Sequence, residues 1–179
     1  MYFLFLKDND TLYSIMKILP DYYFPTITDI PLSLFHDKGI KGIAIDIDNT
    51  LTADGSLLLS ERVVFWLDEV RKQNISICIV SNNHKGRIEP FADIASLDYI
   101  CEADKPSRKN KDMVLERLGR RADEVVMIGD QIFTDMLFAH RCGFFSILVD
   151  PIAEDKHRGA SIKRFFERPL KHILRGKKR

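Results

Sequence analysis

The stretch GIAIDIDNT, residues 42–50, decides the fold class. Its first part, GIAID at residues 42–46, is a short apolar run without polar alternation, which predicts a strand buried on both faces. The strand is followed at once by Asp48, Asn49 and Thr50. In open parallel sheets, ligands bind beyond the carboxyl ends of the strands. The stretch therefore predicts an α/β sheet with a polar site at that edge.

The pattern continues regularly toward the C-terminus. Further apolar runs predict strands over residues 75–80, 97–101, 125–129 and 145–149. Helical periodicity predicts helices over residues 60–73, 84–96, 109–118 and 132–142. Short buried strands that alternate with longer helices are typical of a parallel sheet with right-handed crossovers. We expect a Rossmann-like α/β fold with five parallel strands and helices on both faces.

The length indicates one domain. The chain has 179 residues, of which 45% are hydrophobic and 30% are charged, and this composition suits a single packed core. We expect a lead over residues 1–39, a catalytic core over 40–150 and a basic helix over 156–179. The intervals from Asp48 to Ser81 and from Ser81 to Lys105 hold only one or two elements each. No inserted cap domain is expected in either interval.

Cysteine usage and the N-terminal residues predict the compartment. Cys78, Cys101 and Cys142 are too few for a disulfide framework and match no metal-ligand spacing, which favours a reducing environment. The longest early apolar run, residues 2–6, is too short for a signal peptide or a membrane span. We expect a soluble, cytoplasmic protein.

The formal net charge of +1 conceals an uneven distribution. Residues 156–179 hold 10 of the 27 Lys and Arg residues and 1 of the 26 acidic residues, which leaves 17 basic and 25 acidic residues before them. An apolar stripe at helical spacing runs through the same segment (Ile162, Phe165, Phe166, Leu170, Ile173 and Leu174). Two interpretations remain open: a helix that packs on the sheet with solvated charges, or a helix that contacts an anionic membrane surface.

Polar residues stand at the other predicted strand ends as well. Ser81 follows the second strand, Lys105 the third and Asp130 the fourth. Asp130, Asp46 and Asp48 would place three carboxylates at the same edge of the sheet. Three carboxylates repel one another unless a cation neutralises them. Oxygen ligands suit Mg²⁺, and no His or Cys converges here to suit Zn²⁺. A cation, an ammonium and a hydroxyl together predict a phosphoryl-binding site.

Four sequence strings carry a family resemblance: DIDNT at 46–50, VSNN at 80–83, DKP at 104–106 and GDQIFTD at 129–135. In this order they resemble the four motifs of the haloacid dehalogenase (HAD) superfamily of phosphatases. The longer strings KGIAIDIDNTL and VVMIGDQIFTDM, with a basic C-terminal segment, resemble the YqeG-type branch of HAD subfamily IIIA over residues 12–175. That branch is related to phosphatidylglycerophosphate phosphatases. The segment 52–59 departs from the expected pattern, which leaves the substrate-facing flap undefined.

The resemblance implies a role for each site residue. Asp46 would attack phosphorus, Asp48 would act as acid and base, and Ser81 and Lys105 would hold the phosphoryl group. Mg²⁺ would be held by Asp46, Asp48 (through its backbone carbonyl) and Asp130. Supporting roles fall to Thr50, which steadies the loop, to Asn82, and to Asp135, which orients Lys105 or a metal-bound water.

These observations predict a Mg²⁺-dependent phosphomonoester phosphatase that forms an aspartyl phosphate, with phosphatidylglycerophosphate as a candidate substrate. An uncapped mouth encloses a small metabolite poorly but admits a headgroup at a membrane surface, which suggests peripheral contact with the inner face of the membrane.

Three alternatives remain. One is the same chemistry on a sugar phosphate, a nucleotide or a phosphoprotein. Another is a ribosome- or RNA-associated binding protein with weak catalysis, although the basic segment matches no RRM or KH signature. The third is a receiver-type phospho-acceptor domain, whose lysine is expected after the last strand, where this chain has Asp150 and Pro151.

Overall fold

The computed structural model describes residues 19–153. The basic segment 156–179, with its predicted helix, and most of the first half of the lead lie outside the described residues.

A six-stranded parallel sheet organises the described chain. The strands are β1 (Tyr22–Phe24), β2 (Gly42–Ile45), β3 (Ser76–Val80), β4 (Asp98–Ile100), β5 (Val125–Gly129) and β6 (Phe145–Val149). Their order across the sheet is β1-β6-β5-β2-β3-β4, and every neighbouring pair is parallel. The strand that leads into Asp46, β2, therefore lies near the middle of the sheet, beside β5.

The prediction of five strands was wrong by one. Strand β1 lies in the lead and pairs with β6, with Tyr22 opposite Ile147 and Phe24 opposite Val149. It has only three residues and is enclosed by Pro20 and Pro25, so it shows no periodicity. Because proline lacks the N–H that a central strand needs, such a strand is tolerated only at an edge, which is where β1 lies.

The described residues form five α-helices: α1 (Leu32–Asp37), α2 (Glu61–Lys72), α3 (Lys85–Ala95), α4 (Lys111–Leu118) and α5 (Leu137–Cys142). Helices α2 to α5 lie in the four predicted helical segments. The hydroxyl of Ser60 accepts a hydrogen bond from the backbone N–H of Val63 and so caps the start of α2. Helices α4 and α5 end at Gly119 and Gly143, whose φ angles of 64° and 73° lie in the left-handed region that glycine adopts readily. The start of α2 and the ends of α4 and α5 therefore coincide with capping residues in the sequence.

Helices cover both faces of the sheet, as predicted. Alternate strand residues point to opposite sides, so Ile43 and Ile45 pack with Trp66 and Phe91 from α2 and α3. Ala44 lies in a second cluster, which α4 and α5 complete. Because the sheet is covered on both faces, its two central strands β2 and β5 are apolar along their whole length.

No cap domain interrupts residues 19–153. Between Asp48 and Ser81 the chain forms a flap, residues 52–60, then α2 and β3. Between Ser81 and Lys105 it forms α3 and β4. Within the described range, no helix has the length and apolarity to span a bilayer.

Candidate active site

The loop after β2 turns Asp46 and Asp48 in different directions. The N–H of Asp46 still donates to the carbonyl of Ile128 on β5, so Asp46 continues the strand. Asn49 then adopts a φ of 63°, a left-handed conformation that Asn tolerates better than most residues. The carbonyl of Ile47 accepts hydrogen bonds from the backbone N–H groups of residues 50–52, which closes a tight turn. The two carboxylates consequently find different partners.

Lys105 joins Asp46 to Asp135 in the floor of the site. Its Nζ donates to Oδ1 of Asp46 at 2.8 Å and to Oδ1 of Asp135 at 2.7 Å. All three side chains are almost completely buried, and only 2% of the Lys105 side chain is exposed. A buried ammonium between two carboxylates is a preorganised cation, as a phosphoryl group with negative equatorial oxygens requires.

Asn82 fixes the loop that presents Lys105. Its side-chain amide donates to the carbonyl of Lys105 at 2.8 Å, and its side-chain oxygen accepts from the N–H of Lys105 at 2.6 Å. The neighbouring Ser81 is buried at the end of β3, and its hydroxyl accepts from the N–H of Asn83. Both bonds of Asn82 hold the backbone of Lys105.

A π-helical turn, Ile132–Met136, carries Asp135 into the site. The predicted helix over 132–142 was one continuous element, but the chain forms this wider turn first and α5 afterwards. Oδ2 of Asp135 accepts from the N–H of Gln131, which fixes the carboxylate beneath the end of β5. Gly129 is required there, because a Cβ at this position would collide with the Asp135 carboxylate. π turns of this kind recur at functional sites.

Three carboxylates converge at the carboxyl end of β2 and β5. Asp46, Asp130 and Asp135 each offer one oxygen, and these oxygens lie within 4.8 Å of one another. Asp46, Asp130 and Asp135 are all buried. Oxygen-rich, buried and close-set groups of this type suit a divalent cation such as Mg²⁺. The chemistry of the donor set therefore fits a divalent metal ion.

The charge balance of the cluster supports the same conclusion. Burial raises the pKa of Asp46 to about 7, since lost solvation outweighs the attraction of Lys105, and the nearby Asp135 adds repulsion. Burial by itself would lower the pKa of Lys105, but Asp135 and Asp46 together raise it above its usual value. One ammonium cannot balance this many carboxylates. A bound divalent cation would supply the missing positive charge.

Asp48 turns away from this cluster. Its Oδ1 accepts from Nη2 of Arg87 at 2.6 Å and from the N–H of Gly55 in the flap at 3.0 Å, and its Oδ2 accepts from the amide of Asn83 at 2.6 Å. The Asp48 carboxylate is thus not among the clustered ligand oxygens. The predicted metal contact of Asp48 was through its backbone carbonyl, and that contact stays a prediction.

Sequence reasoning missed Arg87 and Asn83. Asn83 belongs to the string VSNN, but nothing in one sequence distinguishes its role from that of Asn82. Arg87 lies in the first turn of α3, where a basic residue usually reads as a solvated charge. Only the position of Arg87 relative to Asp48 in the folded chain shows that Arg87 belongs to the site.

Thr50 is one of the predicted site residues. It is buried, and its hydroxyl has no hydrogen-bond partner within the described part of the chain.

The parallel sheet, the loop from Asp46 to Thr50 and the buried Lys105 define the class of protein: a phosphatase of the HAD type, a phosphoric monoester hydrolase. Comparison with known proteins gives the family. The model of the family described as mitochondrial PGP phosphatase matches residues 7–153, and the chain belongs to that family.

Curated relatives carry phosphatase names. The chain is 32% identical to the probable phosphatase YqeG of Bacillus subtilis (strain 168), over 90% of this chain and 92% of that protein. It is 25% identical to phosphatidylglycerophosphate phosphatase 1, chloroplastic/mitochondrial, of Arabidopsis thaliana. That match covers 88% of this chain but only 49% of the plant protein.

Solved structures agree in fold. An uncharacterized protein from Listeria monocytogenes serotype 4b superposes with a TM-score of 0.54 at 17% identity, over 66% of this chain and 84% of that chain. NagD from E. coli K-12 superposes with a TM-score of 0.52 at 12% identity, over 66% of this chain and 93% of that chain. At these identities the likeness concerns the fold alone.

Proposed function

We propose that this protein is a Mg²⁺-dependent phosphatase that hydrolyses phosphatidylglycerophosphate through an aspartyl phosphate on Asp46. The observation that carries the proposal is the position of Asp46 at the end of β2, bonded to the buried ammonium of Lys105 and clustered with Asp130 and Asp135. The family description and the name of the Arabidopsis relative support the substrate.

In the first half of the reaction, Asp46 is the nucleophile. A carboxylate oxygen of Asp46 forms a bond to phosphorus while the bond from phosphorus to the leaving alkoxide breaks, and Asp48 gives its proton to that alkoxide. Lys105 and the hydroxyl of Ser81 donate to the phosphoryl oxygens. Their burial makes these interactions stronger than they would be in water.

In the second half, water releases the phosphate. Asp48, now a carboxylate, takes a proton from the attacking water, the new oxygen–phosphorus bond forms, and the bond from phosphorus to Asp46 breaks. Inorganic phosphate leaves, and the Asp46 carboxylate and the protonated Asp48 are restored. The two halves use the same acid–base group in opposite directions, so no further proton donor is needed.

Asp46, Asp130 and the backbone carbonyl of Asp48 would hold the metal ion. One oxygen of Asp135 accepts from Lys105, which suits Asp135 to orient that lysine. When bound, Mg²⁺ supplies positive charge that offsets the carboxylates and the transferring phosphoryl group.

A groove beside the catalytic loop supports a substrate with an apolar portion. It has a volume of about 600 Å³ and runs between the flap and the segment after β6. Thr50 and Leu51 of the catalytic loop line it, together with Leu58 and Ile152, which are exposed. No cap covers the mouth in the described chain. A headgroup presented by a membrane could therefore reach Asp46 while its glycerol and acyl atoms lie along the groove.

A substrate panel tests the proposal. Purified protein with Mg²⁺ is incubated with phosphatidylglycerophosphate in mixed micelles, sugar phosphates, nucleotides and a phosphopeptide, and released phosphate is measured. We expect the lipid to have the highest kcat/KM. A higher value for a sugar phosphate or nucleotide would keep the phosphatase but reject the lipid substrate. No release from any compound with any divalent metal would reject the proposed chemistry.

Peripheral membrane contact through residues 156–179 is part of the same proposal and rests on their charge, because they lie outside the described residues. Each basic group near an anionic surface contributes about 1 kcal/mol. We expect full-length protein to sediment with phosphatidylglycerol liposomes at low salt more than a chain truncated after Asp155. Equal partitioning would reject the contact, and salt-sensitive binding to RNA instead would favour the RNA-binding alternative.

A further inference from the structure

Arg87 is a desolvated cation with unused hydrogen-bonding capacity at the edge of the active site. Both of its observed hydrogen bonds come from Nη2, one to Oδ1 of Asp48 at 2.6 Å and one to the carbonyl of Ser56 in the flap at 2.9 Å. Its Nε and Nη1 atoms are buried and have no hydrogen-bond partner among residues 19–153. A guanidinium has five N–H donors, so three of them are unused here.

The guanidinium is also held in place before any substrate arrives. Arg87 projects from the first turn of α3, and its Cζ atom lies 5.9 Å from the ring centroid of Phe91 one turn later. Phe91 is completely buried in the core. A cation that stacks on a core aromatic loses little freedom when it binds an anion, which favours specific recognition.

The Asp48 carboxylate is fully engaged in this arrangement. It accepts from Arg87, Asn83 and the backbone of Gly55. In this arrangement the carboxylate also faces away from the cluster around Asp46. To donate to a leaving group, Asp48 must give up Arg87. That exchange would leave a buried guanidinium without its counter-ion, which is costly unless another anion replaces it.

We infer that Arg87 binds a second anionic group of the substrate, a phosphodiester, in exchange for the carboxylate of Asp48. The inference rests on the proposed function and adds the residue that selects the substrate. A phosphodiester carries a single negative charge, as the carboxylate does, so the exchange preserves the local charge balance. The displaced Asp48 carboxylate is then free to turn toward the phosphomonoester, and it passes a proton taken up from solvent to the alkoxide that leaves.

The exchange makes recognition a condition for catalysis. A phosphomonoester with a neutral leaving group binds at Lys105 but offers nothing to Arg87, so Asp48 stays bonded to Arg87. A substrate that also carries a phosphodiester releases Asp48. The selectivity should therefore appear in turnover as well as in binding.

The test compares two soluble substrates with similar leaving groups: glycerophosphoglycerophosphate, which is the deacylated lipid headgroup, and glycerol 3-phosphate. We expect wild-type kcat/KM to be at least about tenfold higher for the first. In Arg87→Gln this ratio should fall about ten- to hundredfold, the range for a hydrogen bond to a charged group. In Arg87→Lys, which keeps the charge without the planar fork, the ratio should fall less.

Glycerol 3-phosphate separates recognition from a structural role. In Arg87→Gln, kcat/KM for glycerophosphoglycerophosphate should fall by a larger factor than kcat/KM for glycerol 3-phosphate, because only the first compound offers an anion to Arg87. A proportional loss of activity on both compounds would overturn the inference. Arg117→Gln, which removes an exposed arginine that faces Asp98, is the matched control and should leave the ratio unchanged.

A second measurement needs no variant and so covers a failure of Arg87→Gln to fold. Glycerophosphoglycerol, the alcohol product, should inhibit wild-type protein competitively at least about tenfold better than glycerol, and equal inhibition would overturn the inference. Fructose 1,6-bisphosphate and fructose 6-phosphate form a further pair. Arg87→Gln could change only the ratio of kcat/KM for fructose 1,6-bisphosphate to that for fructose 6-phosphate. In that case Arg87 binds a second phosphomonoester, and the phosphodiester assignment is wrong.

These experiments distinguish the inference from the function on which it rests. Wild-type activity on both glycerol compounds at equal kcat/KM would leave the phosphatase intact and reject the role of Arg87. No activity of wild-type protein on either compound or on the intact lipid would reject both together.

Discussion

Nζ of Lys105 lies 2.8 Å from Oδ1 of Asp46, although the two residues are 59 positions apart in the chain. The contact forms because β2 and β3 are neighbours and β3 pairs with β4, so that the loops after these strands open at the same edge of the sheet. It places a permanent positive charge beside the proposed nucleophile. Five predictions follow from this arrangement and the groups around it.

Asp46→Asn should abolish turnover. The amide is nearly isosteric, so Lys105 still meets an oxygen, but an amide cannot form the acyl phosphate. Phosphate release from p-nitrophenyl phosphate should fall to background while the circular dichroism spectrum stays unchanged. Mass spectrometry must exclude deamidation of the new Asn, which would restore Asp. Substantial activity in a homogeneous Asn sample would reject the covalent mechanism.

Asp48→Asn should slow the reaction according to the leaving group. Loss of a general acid typically costs about 10²–10⁴-fold in rate. An alkyl phosphate needs that proton, whereas p-nitrophenolate leaves readily without it. We expect the larger loss of kcat for the alkyl phosphate in single-turnover kinetics. Equal losses for the two compounds would argue against Asp48 as the acid.

Asp130→Ala should weaken the apparent affinity for Mg²⁺. The substitution removes one of the three clustered carboxylates. Titration of activity with Mg²⁺ should show a higher half-saturation concentration, with activity partly recovered at high Mg²⁺. In wild-type protein, Ca²⁺ should replace Mg²⁺ poorly, because it prefers more ligands at longer distances. Full activity of wild-type protein in EDTA would contradict the metal requirement.

The metal-free protein should lose stability as the pH rises from about 4 to about 7. Asp46 has a pKa of about 7 in the folded protein against an ordinary value of 3.8. Between these values the folded state holds a proton that the unfolded state has released, so the free energy of unfolding decreases as the pH rises. Thermal unfolding in EDTA across this range measures the effect.

Two comparisons isolate the contribution of Asp46 to this pH dependence. Asp46→Asn has no carboxyl at this position, so its stability should decrease less over the same range. Mg²⁺ held by Asp46 would favour the ionised form, so adding Mg²⁺ should raise the stability of wild-type protein at pH 7. Identical pH slopes for the two proteins would show that other groups cause the dependence.

Gly129→Ala should impair both folding and activity. The added Cβ would collide with the carboxylate of Asp135, which must shift and so disturb Lys105. Overpacking of a buried site typically costs about 1–3 kcal/mol of unfolding free energy, and urea unfolding measures it. Gly86→Ala is the control. Gly86 lies in helix α3, and a Cβ there would contact only the side chain of His84, which can move aside. Equal effects of the two substitutions would contradict this role of Gly129.

Much of the sheet could be predicted from the sequence because its signals are local. Strands β2 and β5 are unbroken apolar runs, β3 is apolar after Ser76, and each of the three is followed by a polar residue of the candidate site. The runs that end at Asp46, Ser81 and Asp130 are examples, and Lys105 follows the last short strand before α4. Since parallel strands place their carboxyl ends at one edge, the convergence of these residues follows from the class of fold.

Other features were decided only by the tertiary structure. Strand β1 has too few residues to show a period and exists because the exposed edge of β6 accepts it. The π turn depends on the fit of Asp135 beneath Gly129 rather than on the helical pattern of residues 132–142. Neither feature has a local signal, because each is stabilised by a surface that exists only in the assembled sheet.

The partners of the two aspartates in DIDNT show the same division. The sequence by itself determined that Asp46 and Asp48 end a buried strand beside a lysine and a further acidic pair. It could not determine which carboxylate each cation binds. Lys105 pairs with Asp46, and Arg87 pairs with Asp48, because the turn at Asn49 directs the two side chains apart. That choice depends on backbone angles and on packing between loops that are distant in the chain, and only the tertiary structure contains those.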